Sequence, residues 1–260
     1  MRQKIFIATL LALILFITAF GVIHAKNSQS TPDLSKDSGF QAFTKASETN
    51  KFLMVHLYSS TPESELKTSY ANASNSLSDS LHAVSIDLKN TETLFLVEKY
   101  NLRYVPTPLV LIIAPNGVVS GSFKSSFSAK QVKEVFHTPK IQQCLLAFQE
   151  RRLVFISVQN QKTSKNTEAL EGIKQFGKEN PFYGVNEIII LNPKDTSETR
   201  LLNQLKIKPD IKIAQTFLLV PPGRILGSWT GATNSNDFSN RLRVLSKSCS
   251  TPSCVDPTCK

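Results

Sequence analysis

The apolar residues of this chain fall into short continuous runs, separated by polar stretches whose apolar positions recur at helical spacing. In the first half the pattern predicts strands at 53–58, 83–87, 109–113 and 118–123, and helices at 65–77, 91–100 and 128–136. Pro115-Asn116-Gly117 predicts the tight turn of a hairpin, because glycine tolerates positive φ. Ser128 followed by Gln131 predicts a capping box at the last helix. This order of elements predicts a mixed α/β sheet.

The same order recurs at an offset of roughly 105 residues, which indicates an internal repeat. The second half predicts strands at 153–158, 188–191, 216–220 and 225–229, helices at 196–205 and 236–245, and a hairpin turn at Pro221-Pro222-Gly223. Two copies of one unit explain this pattern. We therefore expect domains at 38–138 and 139–246, with a leader at 1–25, a linker at 26–37 and a tail at 247–260.

The N-terminus has the charged, apolar and polar segments of a secretory leader, in that order. Arg2 and Lys4 precede an uncharged apolar run at 5–23, Ala25 suits cleavage, and a polar stretch begins at Lys26. The run is also close to the roughly 20 residues that cross a bilayer as a helix, so an uncleaved N-terminal anchor in the inner membrane is the alternative. Both alternatives predict an exported protein, periplasmic or extracellular, in a compartment where disulfides persist.

The charge of the chain does not indicate a nucleic-acid site. The formal net charge is +10, but the cations are scattered and no run of four or more occurs, which is typical of a solvated basic surface. The expected partners therefore exclude nucleic acid, and contact with membrane is expected only through an uncleaved N-terminus. The sequence also contains no Gly-rich phosphate loop, His-Glu-x-x-His or Gly-x-Ser-x-Gly motif.

One segment carries a resemblance to a known family. Residues 100–112, Tyr-Asn-Leu-Arg-Tyr-Val-Pro-Thr-Pro-Leu-Val-Leu-Ile, resemble the thioredoxins, in which a helix ending in Lys-Tyr precedes an apolar-Pro-Thr step into a central strand. The resemblance covers 39–137, the first copy, and the second copy is identified mainly through the internal repeat. Together they imply two tandem thioredoxin-like domains, each a mixed sheet flanked by helices. The resemblance further implies that Pro106 is the family's cis-proline. In the second copy the corresponding segment is 212–215, Lys-Ile-Ala-Gln, so this proline is missing.

The family's redox chemistry requires Cys-x-x-Cys at the end of the first central strand, where a helix N-terminus favours thiolate. Here that window holds Pro62, Glu63, Ser64 and Glu65, and the window of the second copy is 159–165; neither contains cysteine. The resemblance thus implies a redox-inactive chain with no catalytic residues. We interpret the two carboxylates as favourable partners of a helix dipole. His56, at the position of the family's buried acid, is interpreted as a packed strand histidine.

The four cysteines raise a separate question. Cys144 lies in a predicted helix and is expected to be a small buried apolar residue. The others, Cys249, Cys254 and Cys259, form a Cys-x4-Cys-x4-Cys tail. Two disulfides in one of three pairings are one hypothesis; a soft metal such as Cu or Zn, with Cys144 or water completing the shell, is another; free or intermolecular thiols are a third.

These observations lead to a functional hypothesis. By analogy with non-catalytic thioredoxin-like domains, we expect an exported binding or scaffold protein, without a cofactor, that engages protein or peptide partners. The expected binding surface consists of Tyr104, Val105, Pro106 and Thr107. The alternative is a thiol-disulfide or soft-metal-binding protein that acts through the cysteine tail. A membrane-anchored structural spacer is a third hypothesis.

Overall fold

The structure, a computed structural model, describes residues 34–59, 65–90, 94–179 and 181–248. The chain divides into two compact units, Met1–Leu34 and Ser35–Lys260, and the elements below belong to the second, apart from a short 3-10 turn at Leu34–Lys36. The predicted signal peptide or anchor and most of the linker lie outside the described residues, as does most of the tail. Within the described ranges, no helix has the length and hydropathy that crossing a bilayer requires.

The first sheet has four strands: β1 (Phe52–Tyr58), β2 (Leu81–Asp87), β3 (Leu109–Ile113) and β4 (Val119–Phe123). Their order across the sheet is β2-β1-β3-β4, with β1 parallel to β2 and both other pairs antiparallel. The helices of this half are α1 (Ser38–Glu48), α2 (Glu65–Ser76), α3 (Leu94–Lys99) and α4 (Ala129–Glu134). Helices α1 and α3 pack on one face of the sheet, and α2 and α4 pack on the other.

The central strand β1 shows why the apolar run at 53–58 is continuous. Leu53, Val55 and Leu57 are buried against the α1 and α3 face, whereas Met54 is buried against the α2 and α4 face. Successive side chains of a strand point to opposite faces, so a strand covered on both sides needs apolar residues at nearly every position.

Asp37, the last residue of the predicted linker, is buried and organises two helix starts. One carboxylate oxygen accepts the N–H of Phe40 at 2.9 Å as the N-cap of α1, and the other accepts the N–H of Phe95 at 2.8 Å in the first turn of α3. Backbone N–H groups at a helix start lack partners within the helix, and a carboxylate satisfies them while complementing the dipole. One side chain therefore joins α1 to α3.

The second sheet repeats this arrangement with β5 (Leu153–Val158), β6 (Asn186–Leu191), β7 (Gln215–Val220) and β8 (Arg224–Thr230), in the order β6-β5-β7-β8. Its helices are α5 (Pro139–Gln149), α6 (Asn166–Phe176), α7 (Thr199–Gln204) and α8 (Ser235–Ser248). Helices α5 and α7 pack on one face, and α6 and α8 on the other. The predicted turn between β7 and β8 is present, with Gly223 at a φ of 130°.

The predicted fold class is confirmed, since two four-stranded mixed sheets flanked by helices are consistent with two thioredoxin-like domains. The predicted domain boundaries stay predictions. Some elements differ in extent. The region predicted as one helix at 196–205 begins as a 3-10 turn at Thr196–Glu198 before α7, and the predicted helix at 91–100 is described only from Leu94.

The two halves meet through polar side chains. The side-chain amide of Gln149, on α5, donates to the carbonyl of Val119 at 2.7 Å and accepts the N–H of the same residue at 3.3 Å. It therefore satisfies both backbone groups of one position on the edge strand β4, as a neighbouring strand would. Asn116, in the turn before β4, donates to the carbonyl of Gln142 on α5 at 3.1 Å.

Candidate functional site

The expected binding surface lies where the end of β1 meets the start of β3. These strands run antiparallel, and Leu57 pairs with Leu109 at this end of the ladder. Ser59 follows β1 and Thr107 precedes β3, and their hydroxyl oxygens lie 2.8 Å apart, a hydrogen bond in which either can donate. Ser59 was not predicted as a site residue, although the antiparallel pairing of β1 with β3 places it opposite Thr107.

The position of the cis-proline corrects the sequence prediction. The cis peptide bond is Thr107–Pro108, whereas Pro106 was expected to carry it. The strand β3 begins at Leu109, so the residue that immediately precedes it is Pro108. Pro106 and Pro108 are separated by one residue, so the local sequence alone does not show which of them is the cis-proline. The start of β3 at Leu109 identifies the proline next to the strand as Pro108. The second copy has no cis bond in 212–215; its cis bond, Pro221–Pro222, lies in the hairpin turn.

The four predicted binding residues have different surroundings. Tyr104 is 90% exposed, and Pro106 is also exposed. Val105 is half-buried and packs against the core between the sheet, α1 and α3. Thr107 is half-buried and bonds to Ser59. We call these four residues the Tyr104 surface: two exposed residues alternate with two that attach the segment to the fold.

The cysteine-free window of the first half, 62–65, is only partly described. Pro62, Glu63 and Ser64 lie outside the described residues, and Glu65 is the exposed first residue of α2. A carboxylate in the first turn of a helix is stabilised by the positive end of the helix dipole. This position fits the interpretation of Glu65 as a dipole partner.

His56 is buried on the α2 face of the first sheet. The side chain is 6% exposed, and its ring centroid lies 5.5 Å from that of Tyr58 and 5.2 Å from that of Tyr70. Burial, together with the nearby charge of Lys67, lowers the pKa of His56 below the ordinary value of 6.5. Its Nε2 atom has no hydrogen-bond partner among the described residues. His56 is thus a packed strand histidine, as the sequence suggested, and its lowered pKa favours the neutral ring at pH 7.

Tyr70 completes this buried group. Burial raises the pKa of Tyr70, and a hydrogen bond with Ser85 opposes that rise. Ser85 pairs with His56 across the parallel strands β1 and β2. Neither His56 nor Tyr70 changes charge near neutral pH with these shifts, so the group contributes packing and polarity to the first sheet rather than a charged centre.

The corresponding surface of the second sheet is already paired with its own loop. Ser164 donates its backbone N–H to the carbonyl of Lys212 at 2.9 Å, and its carbonyl accepts the N–H of Ala214 at 2.9 Å, which forms an isolated parallel bridge with Ile213. Ala214 in turn accepts the N–H of Gly231 at 2.8 Å. The segment 212–214 precedes β7 as 106–108 precedes β3, and the backbone groups of Lys212 and Ala214 within it are therefore already hydrogen-bonded within the chain.

Cys144 is the one predicted cysteine site that the structure describes. It lies on α5, is 5% exposed, and has a pKa raised to about 12 by burial and by the negative charge of Glu198. A thiol with such a pKa stays protonated at neutral pH and is neither a good nucleophile nor a ready metal ligand. Cys249, Cys254 and Cys259 lie outside the described residues. Among the residues described, no group of three or more His, Cys, Asp or Glu side chains is arranged to hold a metal ion.

Comparison with known proteins finds no matching family model and no matching curated protein. Solved structures do match. The chain is similar to the germline-specific thioredoxin Deadhead of Drosophila melanogaster, with 16% identity over 36% of this chain and 87% of that one, at a TM-score of 0.28. It is also similar to human ERp44 in its zinc-bound form, with 12% identity over 78% of this chain and a TM-score of 0.33.

The match to ERp44 spans 58% of that protein's length. The bb fragment of ERp72 matches with 11% identity over 78% of this chain and 93% of the fragment, at a TM-score of 0.26. At such identities and scores these are likenesses of fold alone. The thioredoxin-like assignment rests on the strand order and helix placement described above.

Proposed function

We propose that this chain is a non-catalytic thioredoxin-like binding protein, and that the Tyr104 surface engages an extended segment of a protein or peptide partner. The observation that carries the proposal is an exposed aromatic side chain on a segment that is fixed to the fold on both sides of Pro106. Both windows where this fold would carry its redox cysteines lack sulfur, which leaves recognition as the function the surface can serve.

The fixed geometry of the surface supports binding. Tyrosine supplies a large, rigid and amphipathic contact area at low entropic cost, which is why it is enriched in recognition surfaces. Here Val105 is packed against the core and the Thr107 hydroxyl is bonded to Ser59. Tyr104 is therefore presented by a segment whose order does not have to be gained on binding, and preorganisation of this kind raises affinity.

Backbone groups on this segment support an extended partner. The N–H groups of Tyr104 and Thr107 have no hydrogen-bond partner among the described residues. An extended peptide recognises such groups through its own backbone, and its side chains then provide specificity. On the second sheet, Ser164 already pairs with Lys212 and Ala214, so a peptide would first have to displace it. The proposal thus assigns binding to the first sheet only.

A photo-crosslinking experiment tests the surface directly. A photoreactive phenylalanine analogue replaces Tyr104 in the full chain expressed in cells, and the matched control carries it at Tyr183, a 78% exposed tyrosine on the second half. We expect discrete crosslinked adducts from position 104 and not from position 183. In a peptide-array assay, Tyr104→Ala should weaken retained peptides about tenfold, the cost of losing a modest hot spot, while Tyr183→Ala leaves them unchanged. Equal adducts or equal losses at both positions would refute the proposal.

Export is a second part of the proposal, supported by the order of charge and hydropathy at 1–25. The intact mass of the native protein separates a cleaved leader, with Lys26 as the first residue, from an uncleaved anchor. The same spectrum, taken before and after reduction and thiol alkylation, reports whether Cys249, Cys254 and Cys259 are in disulfides, bind metal or are free. A full-length, cytoplasmic chain would contradict the export proposal.

A further inference from the structure

A cleft on the second half of the chain lies apart from the Tyr104 surface. It has a volume of about 270 Å³ and runs between α5 and α7, across the end of the β7–β8 hairpin. Ile141, Leu145 and Phe148 of α5 form one wall, and Leu219 of β7 contributes to the lining. The wall residues are half-buried, so their exposed portions face an opening that solvent can enter.

The size of the cleft limits what it can hold. A volume of about 270 Å³ lies near the lower end of the range found for ligand pockets, about 300–1,000 Å³, so the cleft suits a small ligand. Ligand sites of this kind are mostly apolar, with a few polar groups that fix orientation. Cys144 also lines the cleft, but its protonated, buried thiol gives the site no nucleophile.

Arg200, on α7, is a positively charged residue that lines this apolar cleft. Arg200 is exposed, and its Nη1 donates to the backbone carbonyl of Glu134 at 3.3 Å. No carboxylate among the described residues lies within salt-bridge distance of it. The nearby carboxylate of Glu198 is buried and is occupied by hydrogen bonds from the Thr138 hydroxyl and the Lys140 N–H. The guanidinium has five N–H donors in a fork that matches a carboxylate, so most of its capacity is available.

His137 lies beside this cation and lines the same cleft. Burial and the neighbouring charge of Arg200 lower the pKa of His137, so its ring is neutral at pH 7 and adds no second charge. The polar end of the cleft therefore carries a single positive group next to an apolar wall.

We propose that the α5–α7 cleft binds a small amphipathic monocarboxylate, with its apolar body between α5 and α7 and its carboxylate on Arg200. Charge complementarity selects an anionic head, and the cleft volume selects an apolar body of medium length. This site is independent of the Tyr104 surface, so either proposal can fail without the other.

Calorimetric titration of the full chain with octanoate tests the proposal, with octanol as the matched neutral probe. We expect octanoate to bind in the micromolar to millimolar range and octanol about tenfold more weakly, since one charge-assisted contact at a solvent-accessible site contributes about that factor. Arg200→Gln should remove the difference between the two probes. Arg103→Gln, which alters an exposed arginine on the first half, serves as the control and should leave both affinities unchanged.

A second variant tests the location without altering charge. Gln204 is exposed and lines the cleft, so Gln204→Trp should obstruct it while the fold is retained, and octanoate binding should fall at least about tenfold. No octanoate binding at millimolar concentration, or binding that Arg200→Gln and Gln204→Trp leave intact, overturns the proposal. Tighter binding of a leucine-terminated tetrapeptide than of octanoate would assign the cleft to a peptide carboxyl terminus and overturn the small-molecule proposal.

Discussion

Replacing Gly172 by alanine sets two opposing effects against each other. Gly172 lies inside α6, where alanine would ordinarily stabilise the helix by about 1 kcal/mol. In this fold, however, a Cβ atom at Gly172 would lie 2.3 Å from the backbone carbonyl oxygen of Thr233 and 2.5 Å from its hydroxyl oxygen. Because the nearest atom belongs to the backbone, no side-chain rotation relieves the contact.

The steric effect should exceed the gain in helix propensity. Overpacking of a closely packed site costs about 1–3 kcal/mol. Moving Thr233 away also strains its hydroxyl bond to the carbonyl of Ala169, which measures 3.0 Å and contributes about 1 kcal/mol when intact. After subtraction of the helix gain, we expect Gly172→Ala to lower the free energy of unfolding by about 1–3 kcal/mol.

Urea unfolding followed by the fluorescence of Trp229, the single tryptophan of the chain, measures this change. Its ring packs edge-on against Phe238 of α8, with centroids 4.8 Å apart, so it reports the packing of the α6 and α8 face. The control is Gly177→Ala at the end of α6, where the atoms nearest to a new Cβ belong to the side-chain amide of Asn186, at 2.9 Å, which can rotate away. A Gly172→Ala protein as stable as the wild type would refute the packing argument.

Two further predictions concern buried ionisable groups. Glu198→Ala should lower the free energy of unfolding by about 2 kcal/mol, because it leaves the Thr138 hydroxyl and the Lys140 N–H without their acceptor. The same urea titration measures this loss of stability, and an unchanged unfolding midpoint would contradict the prediction. His56 has a lowered pKa in the folded state, so its contribution is complete above the unfolded value of 6.5 and is lost as the pH falls below it. The free energy of unfolding of the wild type should therefore fall more between about pH 7.5 and 5.5 than that of His56→Leu. Equal losses would show that folding does not lower the pKa of His56.

Local features of the structure were predictable from local residues. The capping box at α4 is present, with Ser128 Oγ accepting the N–H of Gln131 at 3.3 Å and Gln131 Oε1 accepting the N–H of Ser128 at 2.9 Å. The turn at Pro115-Asn116-Gly117 places Gly117 at a φ of 86°, as a glycine turn requires. Both depend on residues at most three positions apart.

Features that join distant residues were missed. Asp37 was assigned to a polar linker, yet it is buried because its acceptors match the N–H groups of Phe40 and Phe95, the latter 58 residues away. The pairing of Ser164 with Lys212 was not anticipated either, since no periodicity indicates an isolated bridge between two loops. These contacts depend on strand register and helix placement, which a hydropathy pattern does not contain.

The sequence by itself determined the central strands β1, β3, β5 and β7, through apolar runs long enough to be covered on both faces, and it determined that neither redox window holds sulfur. Only the tertiary structure decided that Pro108 rather than Pro106 enters β3 through a cis bond, and that the loop of the second sheet pairs with its own chain. Only packing placed Arg200 beside the apolar wall of α5. Composition and periodicity are properties of neighbouring residues, whereas a surface or a cleft exists only after residues far apart in the chain have been brought together.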